Sequence, residues 1–385
     1  MHFDPVHIPL SGERFVATYT LCGEEKQARA TANSICVEQT VEFPEDLLPE
    51  GDIALHILGR IEEFSPAGPD RWTARISFAS EVAGKELTQL FNVVFGNISL
   101  MEGIRLERLQ LSPDLLRLYG GPRFGRLGLR QLLQEPERPL LSTALKPMGL
   151  SADSLARLAH AFALGGIDLI KDDHGLADQS FAPWRERVKR CAAAVGDANA
   201  QTGGHSVYLP NITSSCDRVV ERAYEAKRAG AGGVLIAPGL TGFSVVRELA
   251  ADSSFGLPIM SHPSYLGGFL THPDNGVSHF ALLGQFMRLT GADATVFPNY
   301  GGRFSFSREA CRDIVNGTVA DMDHIASIFP APGGGMTLER VDEMRVMYGP
   351  DVIFLIGGGL FRGGSDVTDT SRRLREAVSN PFPAQ

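Results

Sequence analysis

Residues 139–175, PLLSTALKPMGLSADSLARLAHAFALGGIDLIKDDHG, contain the pattern on which the fold prediction rests. An apolar run, PLLSTALKP, is followed by the helical periodicity of SLARLAHAFALG and then by a second apolar run, IDLIKDD. Both runs are too continuous for strands with one exposed face, and they are typical of strands buried on both faces of a parallel sheet. The helical stretch between them ends at glycine, as helices commonly do.

The same alternation continues to the end of the chain. Six further apolar runs are predicted to be strands: SVYLPNIT (206–213), GVLIAPGL (233–240), PIMSHPS (258–264), ATVFPN (294–299), SIFPAPGGG (327–335) and VIFLIGGGL (352–360). Helical stretches such as APWRERVKRCAAA, DRVVERAYEAKRAG, SHFALLGQFMRLTG and LERVDEMRVMYG lie between them. Eight strand–helix units over about 240 residues predict a (β/α)8 TIM barrel. An open dinucleotide-binding sheet is disfavoured because no GxGxxG follows the first strand.

The first third of the chain has a different pattern. FVATYTL (15–21) precedes the helix-forming EEKQARATAN, which is followed by IALHILGRIEEF, RWTARISFA, the amphipathic ELTQLFNVVF and GIRLERLQL. This βαββαβ order predicts a small α+β domain of the ferredoxin-like type, with helices on one side of a sheet. The turn-rich YGGPRFGRLG (119–128) places the boundary, so the predicted domains are 1–125 and 126–385.

Composition limits the classes of partner. The formal charge is −9 without a run of Lys or Arg, which disfavours nucleic acid. No apolar stretch reaches about 18 residues and the N-terminus lacks a signal-peptide pattern, so we expect a cytoplasmic protein without a membrane partner. The five cysteines are widely spaced and form no CxxC. We therefore expect small buried thiols rather than disulfides or a zinc cluster.

Polar residues end several of the predicted barrel strands, where TIM-barrel active sites lie. Lys146 ends the first strand, Lys171, Asp172, Asp173 and His174 end the second, Asn211 the third and His262 the fifth. Period-two alternation predicts Lys171 and Asp173 on one side of the strand and Asp172 on the other. Carboxylates with an imidazole could hold a divalent cation. The lysine could be a base, a Schiff-base amine or a ligand after carbamylation by CO2, or it could simply form an ion pair.

Glycines end the last two predicted strands, as Gly333-Gly334-Gly335 and Gly357-Gly358-Gly359. Glycine lets backbone N–H groups approach an anion, and the seventh and eighth loops of barrels commonly bind phosphate. The alternative is a pair of tight turns. Lys146 could be a proton shuttle or an electrostatic anchor, and His262 could serve in acid/base chemistry or contact phosphate.

Together these motifs carry a family resemblance. ALKPMG, GGIDLIKDDHG, FGNISL, the GGPRFG linker and the paired glycines resemble the RuBisCO large-chain superfamily over residues 15 to 365, and are most similar to the RuBisCO-like proteins (form IV) that do not fix CO2. The resemblance implies an N-terminal α+β domain before a barrel. It also implies a homodimer or higher homo-oligomer in which N-terminal-domain residues of one subunit complete the active site of another.

The resemblance assigns roles to residues at the strand ends. Lys171 matches the lysine that is carbamylated to become a metal ligand, and Asp173 matches the second ligand. His174 stands where the third ligand is normally glutamate. Lys146 matches the catalytic lysine of the first strand, and His262 is retained on the fifth. The implied cofactors are Mg2+, or alternatively Mn2+ or another divalent metal, and CO2 as the carbamate.

Substrate contacts are implied in the same way. Asn97 matches the N-terminal-domain asparagine that reaches the metal-bound substrate. Gly334, Gly335, Gly357 and Gly358 match the phosphate-binding backbone. Arg303, in PNYGGRF, matches loosely the lysine of the mobile sixth loop.

Three departures from the carboxylase pattern argue against ribulose bisphosphate carboxylation. Met148 replaces a second lysine, Asn33 replaces a glutamate, and Pro263 replaces an arginine. These changes remove groups that act on CO2 capture or on a second phosphate. The remaining metal centre, phosphate site and lysine suit metal-dependent enolate chemistry on a phosphorylated keto sugar or sugar acid.

Several reactions fit that apparatus. The first expectation is C–C cleavage, by decarboxylation or hydrolysis, of a 3-oxo sugar acid phosphate such as 3-oxo-isoapionate 4-phosphate. The alternatives are an isomerase or enolase of a methylthio-ribulose-type phosphate in methionine salvage, and a noncatalytic regulatory homologue. The enolase alternative is weakened because those enzymes carry a lysine base where this chain has Asn97. Retention of Lys146, Lys171 and Asp173 argues against the noncatalytic alternative.

Overall fold

A computed structural model of the protein describes residues 7–362, 364 and 366–380. The chain forms two compact units. The first contains the described residues up to Gly120 with Leu266–Phe286 and Ala320–Ile325, and the second contains the described remainder. The predicted domain bounds of 1–125 and 126–385 stay a prediction, and they did not include the two later segments of the first unit.

The first unit contains a five-stranded mixed sheet and confirms the βαββαβ prediction. Its strands lie in the order β10-β4-β1-β3-β2, and their bounds are β1 Arg14–Cys22, β2 Arg60–Gly68, β3 Arg71–Ala79, β4 Ile104–Gln110 and β10 Gly276–Val277. Every second side chain of β1 is buried, from Phe15 to Leu21. One face of this sheet is therefore covered, as the period-two alternation requires. The helices of this unit are α1 Glu25–Glu38, α2 Ser80–Ala83, α3 Leu87–Phe95, α4 Pro113–Leu118 and α11 Gly267–Leu270.

Two sequence predictions need correction in this unit. The stretch IALHILGRIEEF is not one strand, because Ile53–Ile57 form a π-helical turn before β2 begins at Arg60. The fifth strand, β10, was not predicted. It pairs in parallel with β4 through Gly276 opposite Arg105 and Val277 opposite Leu106.

The second unit is the barrel, and all eight predicted strands are present. Their bounds are β5 Leu140–Leu145, β6 Leu169–Asp172, β7 Val207–Leu209, β8 Val234–Ile236, β9 Ile259–Ser261, β11 Ala294–Pro298, β12 Phe329–Gly333 and β13 Ile353–Leu355. All neighbouring pairs are parallel, in the order β7-β6-β5-β13-β12-β11-β9-β8. A parallel bridge between Asn211 and Leu235 joins the two ends of this order and closes the barrel.

Helices alternate with these strands. Their bounds are α5 Gly125–Leu133, α6 Ala152–Leu164, α7 Trp184–Thr202, α8 Cys216–Arg228, α9 Pro238–Thr241, α10 Phe243–Ala251, α12 Met287–Thr290, α13 Arg308–Val319, α14 Val341–Tyr348, α15 Gly358–Arg362 and α16 Val367–Ser379. The helix predicted over SHFALLGQFMRLTG is present, but it is not α-helical throughout. Residues Ala281–Phe286 form a π-helical segment, and α12 begins at Met287.

The interior of the barrel is a packed apolar core, which holds the strands at fixed positions. Its buried members are Leu129, Leu133, Leu140, Leu169, Leu209, Leu235, Met260, Ala294, Val296, Phe329, Ala331 and Ile353. Helix α5 is attached by Asp293, whose carboxylate accepts the N–H groups of Phe124 and Gly125 at 2.8 and 2.7 Å. Gly125 has φ +54, and a Cβ there would lie 2.8 Å from the Ser327 carbonyl oxygen. Only glycine fits this position.

A buried ion pair lies at the amino-terminal ends of β5 and β6. Asp168 accepts both terminal nitrogens of Arg138 at 2.8 Å, and it accepts the Leu141 N–H at 2.7 Å. The exposed fractions of the two charged side chains are 7% for Arg138 and 6% for Asp168. This end of the barrel is therefore closed by a desolvated charge pair, and its loss is expected to be costly.

Two further expectations concern the burial of the cysteines and the presence of a membrane-spanning helix. Cys36, Cys191 and Cys311 are buried free thiols as predicted, whereas Cys22 is half-buried and Cys216 is exposed at the start of α8. Among the described residues, no helix combines the length and apolarity that a membrane crossing requires.

Candidate active site

Strands β5, β6 and β9 bring five of the predicted site residues together at the carboxyl end of the barrel. The Nζ atom of Lys146 lies 2.9 Å from Oδ1 of Asp173, and Nδ1 of His174 lies 3.6 Å from the same oxygen. The rings of His174 and His262 are stacked, with centroids 4.5 Å apart and planes inclined by 11°. Three strand ends thus converge on one cluster, as TIM-barrel geometry predicts.

Lys171 lies buried beneath this cluster, with an exposed fraction of 2%. Its ammonium donates to the Asp172 carbonyl oxygen at 3.1 Å. Burial lowers the pKa of Lys171 to about 8, an effect that Asp173 opposes and Lys146 strengthens. A substantial fraction of neutral amine is therefore present near neutral pH, and the neutral amine is the form that reacts with CO2.

Asp173 remains ionised in this environment. Desolvation alone would raise the pKa of Asp173, but hydrogen bonds from His174 and Lys146 hold it well below its usual range. The carboxylate is partly accessible, with an exposed fraction of 17%. A cation that reached the cluster would therefore meet a charged oxygen ligand.

His262 has a defined protonation state. Its Nδ1 accepts the backbone N–H of Ser264 at 3.2 Å and lies 2.8 Å from the Ser264 hydroxyl. Burial, and then the charges of Lys171 and His174, lower the pKa of His262 to about 2. Because Nδ1 accepts a backbone hydrogen bond, the neutral ring carries its proton on Nε2. In this arrangement Nε2–H of His262 is a hydrogen-bond donor, and the ring is a poor base. Of the roles predicted for His262, donation therefore fits the structure better than proton abstraction.

Asp172 points away from the cluster, as the alternation along β6 predicts. It is fully buried and pairs with Arg187 of α7 at 3.2 Å. The Tyr208 hydroxyl donates to Asp172 at 2.7 Å, and the Asn211 N–H donates to it at 3.0 Å. These bonds fix the end of β6 on the side that faces away from the cluster. Sequence analysis missed Arg187, because an arginine within an amphipathic helix gives no sign of being buried.

Asn211 positions the loop that carries His174. Its Nδ2 donates to the carbonyl oxygens of His174 and Leu176, both at 3.0 Å, and the residue is 2% exposed. One buried amide thus supplies both donors for a turn that would otherwise leave two carbonyl groups unpaired.

We expect Asn211→Asp to lower activity about 10-fold and to lower the free energy of unfolding by about 1–3 kcal/mol, because a carboxylate cannot donate to the two carbonyl groups. Steady-state kinetics and urea unfolding measure the two effects. Asn199→Asp is the matched control, since Asn199 donates to the Ser206 carbonyl away from the site. It is expected to lower stability without lowering the activity of folded protein. Full activity in Asn211→Asp would contradict the positioning role.

The two glycine segments lie side by side, since Gly333 of β12 pairs with Leu355 of β13. Gly334 and Gly335 have φ of +87 and +66. A Cβ on Gly334, Gly357 or Gly358 would meet no atom within 4 Å. Gly334 in loop seven (334–337), and Gly357 and Gly358 after β13, thus present accessible backbone at one rim of the barrel, which is the arrangement that anion-binding loops use.

Two other predicted residues, Arg303 and Asn97, have partners of their own in the structure. The guanidinium of Arg303 lies over the Phe304 ring, 4.9 Å from its centroid. Asn97 begins a 3-10 turn, Asn97–Leu100, after α3 in the first unit, and its Nδ2 donates to Glu38 at 2.9 Å. The roles of Arg303 in phosphate binding and of Asn97 in a neighbouring subunit's site stay predictions.

The cluster contains two of the residue types that commonly bind metals, Asp173 and His174. Among the described residues, no three His, Cys, Asp or Glu side chains are arranged to hold a metal ion. A carbamate on Lys171 would supply the missing ligand, and its reactive amine lies buried next to both residues. The donor set of two oxygen groups and one imidazole fits a divalent cation, although Mg2+ prefers oxygen alone.

Comparison with known proteins gives consistent matches. Residues 127–378 match the model of the ribulose bisphosphate carboxylase large chain, catalytic domain. A 5-methylthioribulose-1-phosphate isomerase of Rhodospirillum rubrum is 39% identical over 372 residues, covering 95% of this chain and 96% of the relative. A 2,3-diketo-5-methylthiopentyl-1-phosphate enolase of Geobacillus thermodenitrificans is 32% identical over 393 residues, covering 94% of each. The crystal structure of a Rubisco-like protein from Rhodopseudomonas palustris superposes with a TM-score of 0.86 at 37% identity, covering 97% of this chain and 99% of that one.

Proposed function

The chain belongs to the RuBisCO large-chain family as one of its RuBisCO-like members, and on that premise we propose that it isomerises a 5-methylthioribulose-type sugar phosphate. The observation that carries the proposal is the cluster of Lys146, Lys171 and Asp173 at the carboxyl ends of β5 and β6. The 39% identity to the Rhodospirillum rubrum isomerase supports the same reaction class.

Isomerisation of a ketose phosphate requires a proton to leave one carbon beside the carbonyl group and another to arrive at a second carbon. Lys146 is half exposed at the cluster and can hold that proton on Nζ. The Nε2–H of neutral His262 can donate to an oxygen that gains negative charge. A divalent metal, when bound, would polarise the substrate carbonyl and stabilise the enediolate.

Asn97 distinguishes the isomerase proposal from an enolase. A carboxamide cannot accept a proton from carbon, whereas the lysine that the resemblance places at this position in the enolases can. Asn97 Nδ2 is also engaged with Glu38, which makes the amide a donor. The proton transfers are therefore assigned to the barrel unit.

The segment after β9 supports a substrate with one uncharged end. Pro263 occupies the position where the resemblance places an arginine for a second phosphate. Tyr265, two residues further along, has an exposed fraction of 78%. Met148 likewise presents an apolar side chain beside the cluster, since a Cβ on Gly175 would lie 2.7 Å from its Cε and 3.7 Å from Asp173 Oδ2. A thioether end suits these apolar contacts better than a second phosphate does.

The proposal changes the order of the reactions expected from sequence. The sequence alone favours C–C cleavage of a compound such as 3-oxo-isoapionate 4-phosphate. The named activities of the relatives support the methionine-salvage isomerase or enolase better. Retention of the buried Lys171 and of Asp173 supports an enzyme over a noncatalytic regulatory homologue.

We assign the substrate phosphate to the backbone of Gly334, Gly335, Gly357 and Gly358, and the metal to Asp173, His174 and carbamylated Lys171. Mg2+ is the proposed ion, with Mn2+ as the alternative. A homodimer or higher homo-oligomer is proposed as the working form, in which Asn97 of one subunit faces the cluster of another.

The proposed reaction is tested by incubating the protein, Mg2+ and bicarbonate with 5-methylthioribulose 1-phosphate in D2O. Phosphorus and proton NMR follow the appearance of new sugar phosphates and the incorporation of deuterium at carbon. We expect a new ketose phosphate without loss of CO2. Parallel samples contain 2,3-diketo-5-methylthiopentyl 1-phosphate and 3-oxo-isoapionate 4-phosphate. Turnover of either one in place of the methylthioribulose compound would refute the isomerase proposal.

We expect His174→Glu to tighten Mg2+ binding about 10-fold. A third carboxylate adds a formal negative charge and an oxygen ligand, which a hard cation prefers to nitrogen. Calorimetry on bicarbonate-treated protein measures the affinity. His160→Glu is the control, because His160 lies on α6 outside the cluster. Equal or weaker binding by His174→Glu would show that residue 174 does not contact the metal.

A further inference from the structure

Loop six, residues 299–307 after β11, meets loop seven at a contact made by glycines. A Cβ on Gly335 would lie 3.1 Å from the Cα of Gly302, and a Cβ on Gly302 would lie 3.4 Å from the carbonyl carbon of Gly334. A side chain at Gly335 would force the two backbones apart. The sixth loop therefore rests directly on the backbone to which the phosphate is assigned.

One guanidinium group lies against both loops. Arg340 Nη1 donates to the Gly335 carbonyl oxygen at 2.8 Å. The same group lies close to loop six, because a Cβ on Gly301 would be 3.5 Å from Nη1 and 3.6 Å from Nη2.

Three other residues hold this guanidinium in place. Arg340 Nε donates to Glu343 at 3.0 Å, while Tyr300 and Arg308 donate to the other oxygen of that carboxylate at 2.8 and 2.6 Å. Both guanidinium groups also lie over the Tyr300 ring, at 5.3 and 4.6 Å from its centroid. We call Tyr300, Arg308, Arg340 and Glu343 the loop clasp.

The loop clasp carries an excess positive charge. Two arginines share one carboxylate, and burial with the hydrogen bond to Glu343 raises the pKa of Tyr300 to about 12, so that the phenol is neutral. An anion at the neighbouring glycines would meet backbone N–H groups together with this charge.

We propose that Arg340 is a positioning residue for the phosphate end of the substrate, fastening loop six to the phosphate-binding backbone of loop seven. The proposal rests on the phosphate site assigned above. It deepens that assignment, because glycine backbone alone would leave loop six free to separate from the anion. The proposed ligand is a phosphate monoester, whose negative charge balances the excess positive charge of the loop clasp.

The experiment uses inorganic phosphate as the probe, titrated against the full-length protein and followed by phosphorus NMR. We expect Arg340→Gln to weaken phosphate binding about 10-fold, which corresponds to one lost charge-assisted hydrogen bond. Arg340→Lys keeps the charge without the planar group and should recover part of the affinity. Arg312→Gln is the matched control, because Arg312 is an exposed residue of α13 that is not part of the loop clasp. It is expected to change affinity by less than about threefold.

Kinetics with the substrate give a second readout. Arg340→Gln should raise KM by about the same factor while kcat falls less, because the change weakens binding of the phosphate end throughout the reaction. Equal phosphate affinity in wild type, Arg340→Gln and Arg312→Gln would overturn the proposal. If Arg340→Gln does not fold, wild-type affinity in Arg340→Lys would overturn it. If phosphate binding depends on Arg340 but the wild type does not isomerise the methylthio sugar, the proposed reaction fails and the role of Arg340 stands.

Discussion

Replacing Lys171 with methionine should lower kcat/KM by at least about 1000-fold, the size of effect seen when a group that stabilises the transition-state charge is removed. Methionine keeps most of the side-chain volume but cannot form a carbamate. The variant should fold at least as well as the wild type. Lys171 is buried with its ammonium on a single backbone carbonyl, and removing a buried charge relieves a desolvation cost. Steady-state kinetics and thermal unfolding together separate loss of chemistry from loss of fold.

Lys189→Met is the matched control, because Lys189 is an exposed residue of α7. It should leave both activity and stability within error of the wild type. Carbon NMR with labelled bicarbonate adds an independent readout, since the carbamate signal should be absent from Lys171→Met and present in Lys189→Met. A Lys171→Met variant that retained more than about a tenth of wild-type activity would show that the reaction does not depend on this lysine.

Replacing Asp168 with alanine should lower the free energy of unfolding by about 3 kcal/mol, the lower end of the range for a broken buried ion pair, because Arg138 keeps Glu135 as a second carboxylate partner at 2.9 Å. The guanidinium of Arg138, which is 7% exposed, would lose both hydrogen bonds to Asp168, and the Leu141 N–H would lose its acceptor. Urea unfolding measures the change. Because Asp168 lies at the amino-terminal end of β6, opposite the cluster, the folded fraction should keep wild-type kcat.

Asp351→Ala serves as the comparison. Asp351 binds Arg130 at 2.8 Å, but its carboxylate has an exposed fraction of 47%. Arg130 would also keep three carbonyl partners. The expected loss is about 1 kcal/mol or less. Similar losses in the two variants would show that burial of the Asp168 pair contributes little.

The parts of the fold that depend on the spacing of apolar and polar residues within a short stretch of chain could be predicted from the sequence. Eight buried apolar runs predicted eight barrel strands, and alternation along β6 predicted that Lys171 and Asp173 face away from Asp172. These features depend on periods of a few residues and on the geometry of a closed parallel sheet. The meeting of Lys146, Asp173 and His262 followed from that geometry, because all three end strands of the same barrel.

Other features depend on partners distant in the chain and had no local signal. Arg187 reads as an ordinary residue of an amphipathic helix until Asp172 and Tyr208 are placed behind it. Arg340 lies on an exposed-looking helical turn, and only the contact of loops six and seven shows what it touches. The irregular segment Ala281–Phe286 reads as a regular helix, because its apolar residues fit helical spacing although the chain leaves the first unit there.

The two-residue strand β10 affects the order in which this protein is assembled during translation. It pairs with β4, yet it emerges from the ribosome roughly 170 residues later, a delay of roughly 10–30 seconds at usual synthesis rates. During that interval β4 is the outer strand of the nascent sheet, with unpaired N–H and C=O groups facing solvent. Such an edge is a template for pairing with other chains, including sister chains on the same polysome. The sheet of the amino-terminal unit thus begins to be synthesised first but is completed only after five barrel strands have emerged. A fragment ending near residue 125 would keep the unpaired edge of β4 permanently.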